Sequence, residues 1–431
     1  MSLVFLLLFI AVGMPVAFAL ALTGIGGMLY LQGFGALDYA VAQFPVSRVM
    51  TYSLAVIPLF ILMGQLAFVS GVAEDAYHAA YGWLSRLRGG LCMVTIGACG
   101  LFAATTGSSA AEVSAMGKVA VPEMERYGYD LRLATGTVAA SGTIGILIPP
   151  SIGLVLYGIL TYESIGALFI AGIIPGIVSL LLYMAMVNAR CLRHPNLAPR
   201  PEVSISWKER LSSLANCWGV ALIITTVIGG IYTGIATPTE VGAIGSFVAF
   251  LMVLISIRKG RCNWSELKDA LVEMVKLNAM IFAFIFGAGI FSLFITTTRV
   301  LPSLVDFVAG LAVSRYLILA GICFLYIPLG MFLDPTSLTI VTLPLVYPII
   351  VSGLGFNGIW FGVIFMKLME IAVITPPMGI NLYVLKAQFP DLDLGDIIRG
   401  TLWFLVMDVT TLVILVIFPS ITLWLPNHIS R

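Results

Sequence analysis

The sequence predicts an all-α integral membrane protein, about 11 to 13 transmembrane helices plus two re-entrant hairpins, arranged as two repeats. Three observations predict it. Of 431 residues, 60% are hydrophobic and 10% charged, with a mean hydropathy of +1.06. A soluble chain would carry roughly 25% charged residues, so the main solvent is lipid. The apolar runs are long and do not alternate, which excludes a barrel and leaves helices as the way to satisfy backbone groups in hydrocarbon. Finally, the two sides of a basic mid-chain stretch carry the same order of breaks.

Runs suited to a bilayer core of about 20 helical residues fall near 3–22, 24–44, 50–70, 90–110, 133–157, 163–187, 215–234, 238–257, 277–298, 312–331, 338–352, 357–375 and 402–424. The first has no basic n-region or small-residue cleavage site, and reads as a retained span. The first half, 1–189, holds a hairpin near 96–125 and a broken helix near 133–157. A cytoplasmic linker covers 190–214. The second half, 215–431, holds a hairpin near 325–350 and a broken helix near 357–387.

Orientation follows from the loops. Arg190, Arg193, Arg200, Lys208 and Arg210 mark one basic loop, and Arg258, Lys259, Arg261 and Lys268 another. Both are expected in the cytoplasm, with Arg86 and Arg88 on the same side. The net charge of +1 suggests no nucleic-acid partner. The six cysteines form no CxxC and read as packing residues; His78, His194 and His428 are scattered and make no metal site.

The halves correspond in detail. GLFAATTGSSAAE, Pro122, YGYD and IPPS in the first half answer GMFLDPTSLTIVT, Pro348, LGFN and TPPMG in the second. Gly128 to Pro150 is 22 residues, as is Gly355 to Pro377; Pro122 to Gly128 is 6 and Pro348 to Gly355 is 7. Interrupted segments at matching places in two repeats point to a transporter's binding site.

The breaks have a chemical use. Pro149 and Pro150 free carbonyls around Ile146 to Ile148, and Pro376 and Pro377 free those around Val373 to Thr375. Facing a cavity, such oxygens suit a cation such as Na⁺, and Ser151 and Thr375 add hydroxyls; a plain packing kink is the alternative. Thr105, Thr106, Ser108 and Ser109 surround Gly107 as a re-entrant tip would, unless the hydroxyls bond back to their own helix. Asp334, Pro335, Thr336 and Ser337 form the second tip, where Asp334 either balances a cation or caps the next helix segment. Gly379 closes the TPPMG break.

Other polar residues in the apolar sequence are few. Glu112 follows the first tip. Lys367 and Glu370 are three apart, either an ion pair on one helix face or the lining of a substrate route. Thr237, Pro238, Thr239 and Glu240 fit a helix start with a capping box, with route lining as the other reading. Walker A, GxGxxG, HExxH and GxSxG motifs are absent. Transport therefore draws on a gradient. A membrane enzyme or a channel remains the rival class.

The runs GLFAATTGSSAAEVSAMGKVAVPEMERYGYD, GTIGILIPPSIGLVLYG, TGIATPTEVGAIG, GMFLDPTS and ITPPMGINLYV, in this order, resemble the large membrane (permease) subunit of the tripartite ATP-independent periplasmic (TRAP) transporters, DctM-like proteins. The resemblance covers nearly the whole chain. It implies an elevator-type fold of the ion transporter superfamily in the bacterial inner membrane. It further implies Na⁺-coupled import of an organic anion: a C4-dicarboxylate, a sugar acid or a keto acid. Implied partners are a small four-helix membrane subunit and a periplasmic substrate-binding protein. No tightly bound cofactor is implied, Na⁺ being the coupling ion. The family's first ion region would fall on Thr105–Ser109 with Ile148–Ser151, its second on Asp334–Ser337 with Thr375–Gly379. The substrates are anions, yet neither tip carries Arg or Lys. Bound Na⁺, helix N-termini and hydroxyls are the expected neutralisers, with Arg299 and Lys367 as alternatives. A self-sufficient ion-coupled anion symporter is the alternative function.

Overall fold

A computed structural model describes residues 2–429 apart from 37, 44–45, 48–49, 200–205, 299 and 312. Arg200 and Arg299 therefore lie outside the described residues. The described secondary structure is helical throughout. Among the described residues six helices are long and apolar enough to cross a membrane, including Ile165–Arg193, Pro238–Arg258, Trp264–Thr297 and Leu394–Ile417. A seventh crossing exists if the bent pair Trp207–Ala215 and Trp218–Tyr232, at 49°, is one span.

The thirteen apolar runs, expected to give 11 to 13 transmembrane helices, do not map one to one onto helices of crossing length. The first two runs become α1 (Ser2–Ala11) and α2 (Val16–Gln32), parted at Gly13 (φ +89°) and Pro15. Others are shortened by glycine and proline, which hydropathy alone does not register. After α2 come α3 (Val56–Val69), α4 (Val72–Leu84), α5 (Gly90–Thr106), α6 (Ser109–Arg126), α7 (Leu131–Ser141), α8 (Ile152–Thr161) and α9 (Ile165–Arg193). The second half supplies α10 (Trp207–Asn216), α11 (Trp218–Ile224), α12 (Pro238–Arg258), α13 (Trp264–Thr297), α14 (Val300–Ala309) and α15 (Arg315–Phe332). It closes with α16 (Pro335–Pro348), α17 (Gly358–Ile374), α18 (Ile380–Gln388), α19 (Leu394–Ile417) and α20 (Ser420–Ile429).

Starts of these helices are set locally. Ser206 with Glu209, Thr237 with Glu240, and Asn263 with Glu266 each make a reciprocal capping box, satisfying backbone N–H groups that a helix start leaves without partners.

Packing uses small residues to bring backbones together. A Cβ on Gly287 of α13 would lie 2.1 Å from the Ala17 carbonyl oxygen of α2. These two helices, with α1, enclose a separate apolar cluster around Leu20, Met28, Phe291 and Phe294. In the larger core, α7 crosses α19, where a Cβ on Gly400 would lie 1.9 Å from the Arg132 carbonyl oxygen. Larger side chains would separate each pair, and lipid offers little hydrophobic force to restore it. The halves interlock in this core. Asn381 of α18 donates to the Ala139 carbonyl (3.0 Å), Gln388 to that of Ser114 (2.7 Å), and the Tyr157 hydroxyl to that of Gly358 (2.7 Å).

Candidate functional site

In the first half, α5 stops at Gly107, whose φ of +61° favours a residue without Cβ. Ser108 then starts α6 as its N-cap, without a side-chain cap bond. The turn packs on the proline break: a Cβ on Gly107 would lie 2.6 Å from the Pro150 carbonyl oxygen and 3.1 Å from the Ile152 nitrogen. Between α7 and α8 the chain runs through a 3-10 turn at Gly142–Ile146 and then Leu147 to Ser151. The Ser151 hydroxyl donates to the Ile146 carbonyl (2.5 Å) and accepts from the Leu154 amide (3.3 Å), so it occupies one freed carbonyl and caps α8. Thr105 Oγ1 bonds back to the Phe102 carbonyl (2.7 Å), whereas Thr106 Oγ1 donates to Glu112 Oε1 (2.9 Å).

In the second half, Asp334 is the N-cap of α16: its Oδ2 accepts from the Ser337 amide (3.0 Å) and its Oδ1 from the Ser337 hydroxyl. Pro335 takes the first helical position, where its missing N–H is harmless. At the end of α17, Thr375 Oγ1 donates to the Ile371 carbonyl (2.5 Å), and α18 begins after Gly379. Pro149–Pro150 and Pro376–Pro377 are both cis.

These pieces meet at one cavity of about 220 Å³. Its wall includes Thr106, Gly107, Ser108 and Ser109 from the first tip and Asp334, Pro335 and Thr336 from the second. The breaks contribute their flanks: Ile146 with Ile152 and Gly153, and Val373 with Ile380. Thr105, Ile148, Pro149, Pro150, Ser151, Ser337, Thr375, Pro376, Pro377 and Gly379 are not part of its lining. Four helices thus present their N-terminal turns (α6, α8, α16 and α18), and α5, the 3-10 turn and α17 present C-terminal ends. Amide dipoles favour an anion at the first group of ends, and carbonyl oxygens favour a cation at the second. Among the described residues lining the cavity, Asp334 is the sole ionisable one.

The remaining candidates lie elsewhere. Lys367 and Glu370 do pair, at 2.5 Å, and are fully buried. They sit off the cavity, although Met366 and Met369 of the same helix line it. Lys367 also binds Asp408 Oδ1 of α19 (2.6 Å) and the Ser179 hydroxyl of α9 (3.1 Å). Asp408 is the group that sequence reasoning passed over. A lone carboxyl inside LWFLVMDVTTLVILVIF carried the signal, an ionisable residue at membrane depth. Thr237, Pro238 and Thr239 line a second cavity of about 750 Å³ with Tyr52, Glu163 and Ser292. Glu240 returns its carboxylate to the Thr237 amide (2.7 Å). Among the described residues no group of His, Cys, Asp and Glu is arranged to hold a metal ion.

The family model described as "Tripartite ATP-independent periplasmic transporter, DctM component" matches residues 3–421. A Pseudomonas aeruginosa protein, C4-dicarboxylate TRAP transporter large permease protein DctM, is 36% identical over 413 residues, covering 96% of this chain and 94% of the relative. A Haemophilus influenzae protein, sialic acid TRAP transporter permease protein SiaT, is 32% identical and covers 88% of this chain and 60% of its own. The crystal structure of the Alcanivorax borkumensis YdaH transporter shares the fold, with a TM-score of 0.63 at 17% identity over 93% of this chain and 91% of that one.

Proposed function

The chain belongs to the DctM component family of tripartite ATP-independent periplasmic transporters, and on that premise we propose that it binds Na⁺ and an organic anion together at the cavity between its two tips. It is a multi-pass inner-membrane protein and the large permease component of an organic-anion transporter, not an enzyme. Carbonyls at the ends of α5 and α17 and the Asp334 carboxylate hold Na⁺. The N-terminal turns of α6, α8, α16 and α18 hold the anion. The two tips with their Pro-Pro breaks act as re-entrant hairpins of two repeats, sliding as an elevator against a scaffold that includes α2 and α13. A small four-helix membrane subunit and a periplasmic binding protein complete the assembly.

The supporting observation is the meeting of opposite helix ends at one small cavity whose only ionisable lining residue, among those described, is acidic. An anion entering there alone would face Asp334 with no side-chain cation opposite, so it needs a cation beside it. The volume, about 220 Å³, is below the range of about 300–1,000 Å³ for drug-sized ligands. That favours a C4-dicarboxylate or small keto acid over a bulky sugar acid.

The test is uptake into proteoliposomes holding this chain with its small subunit and binding protein, over a panel of organic anions, with and without an inward Na⁺ gradient. Uptake of a small acid that requires Na⁺ and every component is expected. Uptake by this chain alone, or uptake indifferent to Na⁺, would sink the proposal.

A further inference from the structure

Among the described residues four charged side chains are buried: Glu112, Lys367, Glu370 and Asp408. Three of them form one cluster between α9, α17 and α19. The Lys367 ammonium contacts both Glu370 Oε2 (2.5 Å) and Asp408 Oδ1 (2.6 Å), and Asp408 Oδ1 also accepts from the Tyr183 hydroxyl (2.5 Å). The second oxygen of each acid, Glu370 Oε1 and Asp408 Oδ2, is buried without a hydrogen-bond partner. Groups facing the cluster from neighbouring elements bring no compensating charge. They are the Ser179 and Tyr183 hydroxyls of α9 and, within electrostatic reach of Glu370, the Glu112 carboxyl of α6.

One ammonium between two carboxylates leaves a net negative charge in a site closed to water. An uncompensated buried ion opposes folding strongly, and more so inside a bilayer. A single proton removes the excess of these three groups: hydronium gives it up to a carboxylate oxygen, leaving one carboxylic acid and a water molecule. Because the acids share one lysine, the proton belongs to the pair.

We propose that the Lys367–Glu370–Asp408 cluster is a proton-binding site holding one exchangeable proton, and that its occupancy tunes anion binding next door. The link is α17 itself. Met366 and Met369 line the cavity, each one residue before a member of the cluster. Losing the proton places a negative charge beside the anion site and weakens anion binding. The effect rests on the cavity being that site, whereas the proton itself does not.

Infrared difference spectroscopy on the full chain in lipid nanodiscs separates the two. The wild-type minus E370Q/D408N spectrum is expected to contain one protonated-carboxyl C=O band that shifts in D2O and disappears as pH rises. The E370D variant should move this band and keep it, which covers the case of an ill-folded amide variant. A difference spectrum showing only ionised carboxylates at every pH would overturn the proton site, whatever the transport assay gives. In proteoliposomes of the complete assembly, the anion KM should rise several-fold as the band disappears, and E370Q should flatten that rise. A persistent band with a pH-independent KM would retain the proton and refute its effect on the anion.

Discussion

Asp334 does two jobs that a substitution can separate. As N-cap of α16 it satisfies the Ser337 amide, and as a lining residue it supplies a carboxylate to the cavity. Serine also caps well, so Asp334→Ser should leave the melting temperature nearly unchanged, whereas Asp334→Ala should lose about 1 kcal/mol of stability. Both should abolish Na⁺-coupled uptake, and Ser109→Ala should weaken it less, because backbone oxygens remain. An Asp334→Ser protein that transports normally would reduce this residue to a cap. Asp334, Lys367 and Glu370 stand out in the sequence because a charge among apolar neighbours is costly. Asp408 carries the same signal, but its pairing does not show. The 2.6 Å contact from Lys367 reaches Asp408, 41 positions along the chain, and no local pattern links the two.

At the scale of the element, helix ends matter more than helix bodies. The sequence marks where helices stop, through Gly107, the Pro-Pro pairs and the caps, because each acts within a few residues of itself. It does not mark which ends meet, since that depends on α6, α8, α16 and α18 converging across the fold. Run length alone does not show such breaks: the apolar stretch at 133–157, read as a broken helix from its Pro-Pro pair, is α7, a 3-10 turn and the start of α8. Gly107→Ala tests the meeting of tip and break. A left-handed alanine costs roughly 1–2 kcal/mol, and its methyl would press on the Pro150 oxygen, 2.6 Å away. Lower thermal stability and lost uptake are expected. Gly321→Ala is the control, with ordinary φ and nothing within 4 Å of its Cβ; if both variants behave alike, the tip tolerates displacement.

Across the whole molecule, both halves contribute to one body around the cavity, and the sequence shows the correspondence of the halves but not their interlocking. Orientation is readable from charge. The basic loop after α12 should face the cytoplasm and the segment before it the periplasm. All six native cysteines are buried, so engineered thiols can be labelled against a low background. An impermeant maleimide should label Ile235→Cys, at a position 84% exposed, in intact cells, and Lys259→Cys only after permeabilisation. The reverse pattern would invert the topology. The cavity's lack of a cationic side chain has a consequence for leakage. A carrier with a fixed arginine could shuttle its anion out again unaccompanied and dissipate the gradient. If the cavity holds both ligands as proposed, the counter-charge arrives and departs with the Na⁺, and a lone anion finds no berth in either direction. Slippage would then be suppressed by what the pocket omits, and vesicles preloaded with anion in Na⁺-free buffer should hold their contents.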